Sequence, residues 1–271
     1  MISCAFRDKN DMNNPTVVWI PMHFTLEIIK ETLRAMDFGN TLKNTLFLCI
    51  GCSILQVFSC SVTGYGFARF NFRGKNFLFA VVIMMILVPP QVISLPLYTE
   101  FIRFGIDRFF TVNLLDSMLT MYLPAMTANG IKSGLMILIF RQYFSELPKE
   151  LENSAYIDGS GALRTFLLII IPNAKSIFLT AFLFSFVFYW NDYYMSSVFF
   201  TDTKTIAIVL ANLENELKMN LFSGTAVQIS PREMIVWNEA GCLIAVAPVA
   251  VMYIFLQKYF TDGIEHSGIV S

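Results

Sequence analysis

Cys49 and Cys52 form a CxxC, the spacing at which two thiols can share a metal ion or a redox cycle. They stand, however, in LFLCIGCSILQVF, where a small apolar side chain is sufficient explanation for each. Cys4, Cys60 and Cys242 add no framework, and His23 and His266 lie near opposite ends of the chain with no Cys or carboxylate cluster around either. Zinc ligation and a histidine-based hydrolase are therefore both unsupported. No GxxxxGK[ST] run is present to cradle a nucleotide phosphate. The sequence thus predicts no catalytic residue, no metal site and no cofactor. What remains is a polar loop from Arg141 to Arg164, RQYFSELPKELENSAYIDGSGALR, and a few polar residues inside apolar runs, chiefly Asn129 and Lys132.

The loop reads as a short surface helix. Pro148 suits a first helical turn, Lys149, Glu150, Leu151, Glu152, Ala155 and Ile157 follow, and Gly159 supplies a C-terminal stop where a side chain would clash. Leu151 and Ala155, four apart, share a face, with Lys149 and Glu150 elsewhere. Such a helix lies against a membrane surface, or against something docked there.

The elements that must position this loop are apolar. Hydrophobic residues make up 55% of the 271, Phe contributes 27 residues, and charged residues are only 14%, well below the roughly one quarter usual in soluble domains. This is the composition of a polytopic membrane protein with no sizeable folded domain outside the bilayer. A net charge of -1 offers no basic face to nucleic acid.

Five runs long enough to cross the hydrocarbon, or nearly so, can be drawn. The first, about 45–67, is charge-free and carries Gly51, Ser53, Ser59, Ser61 and Gly64, small residues that let helices approach closely in lipid. It ends in a turn, ARFNFRGKN, whose Arg69, Arg73 and Lys75 mark a cytoplasmic side. The second, about 77–98, is broken by Pro89, Pro90 and Pro96, where a kink or unwinding is either structural or part of a transport pathway. The third, about 114–140, contains Pro124, Asn129, Gly130, Lys132 and Gly134. Lys132 must face a polar cavity, pair, or snorkel to an interface, and Asn129 must bond across helices or touch a polar solute. The fourth, about 166–190, has Pro172 near one end and YWNDYY at the other, where Tyr189, Trp190, Tyr193 and Tyr194 read first as an interface belt and second as a surface for sugar stacking. The fifth, about 240–255, is charge-free and reaches full length by continuing through Phe260.

The loop resembles that of the inner-membrane permease subunits of binding-protein-dependent ABC importers, in particular the maltose-type carbohydrate uptake class. That family writes Glu-Ala-Ala, three residues, Gly, nine residues, then Ile, any residue, Leu, Pro. Here Asn153, Ser154 and Ala155 hold the first places, Gly159 follows, and Ile169, Ile170, Ile171 and Pro172 complete the spacing, with Asn for Glu, Ser for Ala and Ile for Leu. The run from Pro148 to Gly159, the ARF and RGK of the first turn, Trp190-Asn191-Asp192 and a carboxyl-terminal KYFTDGIEHSGIVS all resemble the same class. So does Trp19-Ile20-Pro21, which in the family follows a first transmembrane helix. By that alignment the helix is missing here, either through truncation or as a genuine short form.

The resemblance implies an all-α, type I importer bundle with five spans. Residues 1–43 would be an extracytoplasmic amino-terminal segment, 44–260 the transmembrane domain with its coupling loop at 141–165, and 261–271 a cytoplasmic tail; 195–238 would lie outside. Arg7, Lys9, Lys30, Arg34 and Lys43 would then lie outside, more than any inner loop holds, so the orientation rests on the resemblance rather than on the charge rule. It implies a permease in the bacterial cytoplasmic membrane importing a sugar or related polyol and embedded in lipid. Its partners would be a second, different permease chain, ATP-binding subunits and an extracytoplasmic solute-binding protein. Glu152, Asn153, Ser154, Ala155, Asp158, Gly159 and Pro172 would couple to the ATPase, whose closure would swing the helices between inward and outward access. A secondary carrier or an integral membrane enzyme is the alternative, and either would want intramembrane acidic residues, which are nearly absent apart from Asp116.

Overall fold

The computed structural model describes residues 2–8, 22–106, 110–221 and 230–267. Trp19, Ile20 and Pro21 and the last four residues of the tail lie outside the described residues, as do 222–229 of the outer segment. The described chain is almost wholly helical. In order come α1 (Ile2–Ala5), α2 (Glu27–Ala35), α3 (Phe38–Arg69), α4 (Lys75–Leu87), α5 (Pro90–Ile102), a two-stranded antiparallel ribbon of β1 (Phe104–Ile106) and β2 (Phe110–Val112), α6 (Leu119–Met126) and α7 (Ser133–Glu146). Then follow α8 (Glu150–Ile157), α9 (Ala162–Thr165), a π-helical turn at Phe166–Ile170, α10 (Ile171–Asn173), α11 (Lys175–Trp190), α12 (Tyr194–Phe199), α13 (Ile206–Ala211), α14 (Leu213–Asn220) and α15 (Pro231–Ser267).

The apolar runs become helices whose bounds differ from the sequence pattern for identifiable reasons. The first extends to the 32 residues of α3, about 48 Å at helical rise, because its polar start is helical too. There the Thr41 hydroxyl donates to the Met36 carbonyl at 2.8 Å, and that of Thr45 donates to Thr41 at 2.8 Å. The second run bends by 101° between α4 and α5. Val88 is extended at φ -73°, ψ 120°, the region favoured by a residue that precedes proline. Pro96, by contrast, is accommodated inside α5. The third run is two helices, α6 and α7, separated by residues 127–132. The fourth bends by 83° after Asn173. Pro172 supplies no N–H, the ladder before it slips to the wider π register, and Asn173 Nδ2 donates instead to the Ile169 carbonyl at 2.7 Å. Among the described residues Phe38–Arg69 and Pro231–Phe255 are long and apolar enough to cross a membrane unaided, and the two bent pairs are so when each is taken together.

The chain divides into two compact units, 1–47 with 190–255 and 48–189 with 256–271. In the first, α2 buries Ile28, Thr32 and Ala35 against α14, and Leu213, Leu217, Val236, Trp237 and Ala240 join them. Thr45 Oγ1 accepts from the Ile206 nitrogen at 2.9 Å, and Asn220 Nδ2 donates to the Ala35 carbonyl at 2.7 Å. In the second unit the core runs from Val57 and Cys60 through Tyr65, Met136, Phe140 and Phe144 to Phe166 and Ile170. Gly64 permits the tight approach of α3 to α7: a Cβ there would stand 2.6 Å from Phe140 Cβ and 2.9 Å from the Arg141 nitrogen.

Candidate functional site

Pro148 precedes α8, and Gly159 ends it in the left-handed region at φ +80°, with Ser160 N donating back to the Ala155 carbonyl at 2.9 Å. The helix has two unlike faces. Glu152 and Ala155 are buried, at 6% and 2% exposed, while Asn153, Ser154, Tyr156, Ile157, Asp158 and Gly159 are exposed. Ala155, the unchanged residue of the Glu-Ala-Ala triplet, thus packs inward, and the two changed positions face out. Ile157 is 87% exposed, an apolar side chain at the outermost turn.

What holds the inner face was not legible in the loop itself. Arg69, the last residue of α3, reaches α8: its Nε lies 2.8 Å from Glu152 Oε1 and its Nη2 donates to the Leu147 carbonyl at 2.8 Å. The Nε–H is not aimed along the line to Oε1, so the first contact is ionic rather than an aligned hydrogen bond. Both side chains are nearly sealed from solvent, at 6% and 8% exposure. Below them Tyr65 packs on Phe144, edge to face at 5.6 Å, and on Phe166 at 4.8 Å. Arg141, in the second half of α7, lies over the Phe79 ring at 4.0 Å. Pro172 is not at this cluster; it stands at the bend where the arm from Ala162 meets α11. The residues named from the loop motif therefore separate into an inner anchor, an outer face and a hinge. Arg69, Tyr65 and Phe166 are additions, and only the basic turn after the first run hinted at Arg69.

The remaining polar residues resolve as follows. Cys49, Cys52 and Cys60 are fully buried and form no disulfide among the described residues, where no cluster of metal-ligating residues occurs either. Tyr189 and Trp190 do not form an interface belt, being 2% and 5% exposed, because each is engaged inside its own unit. Tyr189 Oη donates to Gln56 Oε1 at 2.6 Å, and Trp190 Nε1 donates to the Ala245 carbonyl at 3.2 Å. Tyr193 remains exposed. Asp192 caps α12, accepting from Ser196 N at 2.8 Å, Ser196 Oγ at 2.9 Å and Met195 N at 3.3 Å. Burial pushes its carboxyl above the usual range, against the pull of those donors. Asn129 and Lys132 are exposed and lie on the broken turn between α6 and α7 rather than within a helix.

Residues 61–266 match the family described as the binding-protein-dependent transport system inner membrane component. The melibiose/raffinose/stachyose import permease protein MelC of Bacillus subtilis (strain 168) is 26% identical, the match covering 99% of this chain and 89% of that protein. The osmoprotective compounds uptake permease protein GgtD of Synechocystis sp. is also 26% identical, over 98% of this chain and 84% of its own. The sn-glycerol-3-phosphate transport system permease protein UgpE of Yersinia pestis is 26% identical, over 86% of this chain and 75% of that protein. Among solved structures, a chain of a bacterial ABC transporter involved in the import of the acidic polysaccharide alginate superposes with a TM-score of 0.69 at 19% identity, covering 96% of this chain and 88% of that one.

Proposed function

This chain belongs to the family of binding-protein-dependent transport system inner membrane components, and from that premise we propose that it is one half of an ATP-driven importer for a saccharide or related polyol. It is a permease subunit and a multi-pass protein of the cytoplasmic membrane. The second permease chain, the ATP-hydrolysing subunits and the external solute-binding protein are the partners this reading requires. The relatives' own solutes, oligosaccharides and glycerol phosphate, support the solute class.

One observation carries the coupling part of the reading: α8 is fastened on one face and bare on the other. The Arg69–Glu152 pair and the buried Ala155 fix the helix to the end of α3, while Tyr156 and Ile157, 43% and 87% exposed, present apolar surface outward. Such a helix can transmit a push, since displacement of its outer face must move the helix ends beneath it. In this proposal Glu152 and Ala155 position the lever, Asn153, Ser154, Ile157 and Asp158 meet the ATPase, Gly159 makes the turn and Pro172 sets the hinge. The loop at 141–165 and the tail from 261 are cytoplasmic, and residues 1–43 lie outside.

The test is a reconstituted complex of both permeases, the ATPase and the binding protein. Ile157→Asp is expected to insert normally and to lower ATP-driven uptake at least tenfold by weakening ATPase attachment. Uptake that needs no ATPase, or modification of Cys introduced at Ile157 by an impermeant reagent added outside sealed cells, would overturn the proposal.

A further inference from the structure

We infer that Lys132 lines the translocation path at mid-membrane depth and selects for solutes that carry a carboxylate or phosphate, an inference that rests on the permease reading above. The turn at 127–132 is an unwound segment within an apolar run, and its inner side is held by α3. Ser59 Oγ donates to the Ala125 carbonyl at 2.6 Å, and Gln56 Nε2 donates to that of Ile131 at 2.7 Å. Tyr189 Oη, bonded to Gln56, accepts from the Ile131 nitrogen at 3.2 Å. Gln56 is fully buried, so a polar side chain within the charge-free first run serves this turn. Ala128 and Lys132 both adopt φ 58°, left-handed conformations that non-glycine residues hold only where surroundings enforce them. On the other side Thr127, Asn129 and Lys132 are exposed.

Depth decides what that exposed side faces. From Lys132 to Arg141 the chain rises about 13 Å, and from Gln56 to Arg69 about 20 Å, both toward the end that carries the Arg69–Lys75 turn. A hydrocarbon core about 30 Å thick places Lys132 near its middle. Its four-carbon stem reaches only about 6 Å, too little to bring the ammonium to a headgroup layer. Hydrocarbon is excluded as its environment, and it makes no ion pair among the described residues. Unwound backbone and a cation at this depth are compatible with a water-filled path. An unneutralised ammonium there favours passage of anionic groups over neutral or cationic ones.

The assembled complex carrying Asn129→Cys tests this with two small water-soluble methanethiosulfonates, one bearing a sulfonate and one a trimethylammonium. The sulfonate reagent is expected to react faster relative to the cationic one, and adding Lys132→Gln should lower that ratio by at least about fivefold, the effect of one charge a few Å away at intermediate dielectric. Lys132→Arg should restore it. No reaction above that of the native cysteines means the turn is sealed or faces lipid, and an unchanged ratio means the charge is neutralised by a neighbouring chain; either result overturns the inference. In uptake, Lys132→Gln should cost sn-glycerol 3-phosphate or digalacturonate at least tenfold more than raffinose, and an equal loss for both classes, or import of raffinose alone, likewise overturns it. Loss of ATP dependence with the reagent ratio intact would instead sink the permease reading and leave Lys132 in an aqueous path.

Discussion

Two short-helix segments, one in each unit, hold a carboxylate against a cation in different ways. At α8 the Arg69–Glu152 pair is 2.8 Å apart and nearly sealed, with side chains 6% and 8% exposed. At α14 the Lys204 ammonium lies 2.6 Å from Glu216, whose side chain is 11% exposed, but the lysine side chain is 44% exposed, so here one partner is sealed and the other is not. Similar distances conceal opposite energetics. Removing either partner of a buried pair strands a charge in low dielectric, whereas a cation that reaches water is screened and can be hydrated when its carboxylate is removed. The first segment is therefore rigidly registered to a long helix by electrostatics. The second is held by apolar burial of Leu213 and Leu217 and by capping bonds.

The strongest way to sharpen that contrast is Glu152→Ala. Loss of the partner leaves the Arg69 guanidinium buried and uncompensated, at a cost of about 3–5 kcal/mol. Thermal unfolding of the solubilised protein should shift down accordingly, limited proteolysis should open first near 147–157, and ATP-driven uptake should be lost. Glu152→Gln retains the shape but not the charge and should fall between. Equal proteolytic resistance in wild type and Glu152→Ala would break the comparison. Next comes Gly159→Val. Nothing stands within 4 Å of a Cβ at that position, so the penalty is backbone strain at φ +80° alone, about 1–2 kcal/mol. The variant should insert and hydrolyse ATP while uptake per ATP falls, measured as the ratio of the two rates in proteoliposomes.

The sequence made the limits of α8 visible because they depend on local chemistry: Pro148 opens the turn and Gly159 closes it. It also located the break at Pro89 to Pro90, since a missing N–H acts where it stands, but it gave no break at Pro172, where the fourth run bends by 83°. The partner of Glu152 was invisible because Arg69 lies far upstream and joins it only when α3 and α7 pack through Gly64. The aromatic cluster at 189–190 misled for a related reason. Tyr and Trp at a helix end suit a headgroup layer equally well as a protein interior. Only the presence of Gln56 and the Ala245 carbonyl within reach decides for the interior. A glutamine in a charge-free run was the available clue, because a buried amide needs a polar partner.

The second segment should respond more weakly, first at Asp192. Asp192→Ala removes the acceptor for Ser196 and Met195 and should cost about 1 kcal/mol, a typical helix cap. Its pH dependence has a definite sign. Burial raises the folded carboxyl above its unfolded value, so ionisation opposes folding. The stability this group contributes is whole below the ordinary carboxylate range and is lost as pH rises through the raised value. Asp192→Asn keeps an acceptor and cannot ionise, so its melting temperature should be flatter than wild type across that window. A wild-type melting temperature that rises relative to that of Asp192→Asn as the pH increases would mean that the capping bonds outweigh burial. Smallest is Glu216→Gln, which leaves the Lys204 ammonium, 44% exposed, to be hydrated and keeps an acceptor for Asn220 Nδ2. The change should stay under about 1 kcal/mol and vanish at high salt. A loss as large as that of Glu152→Ala would show that α14, too, is registered by charge, and the distinction between the two segments would then have to rest on what each meets outside this chain.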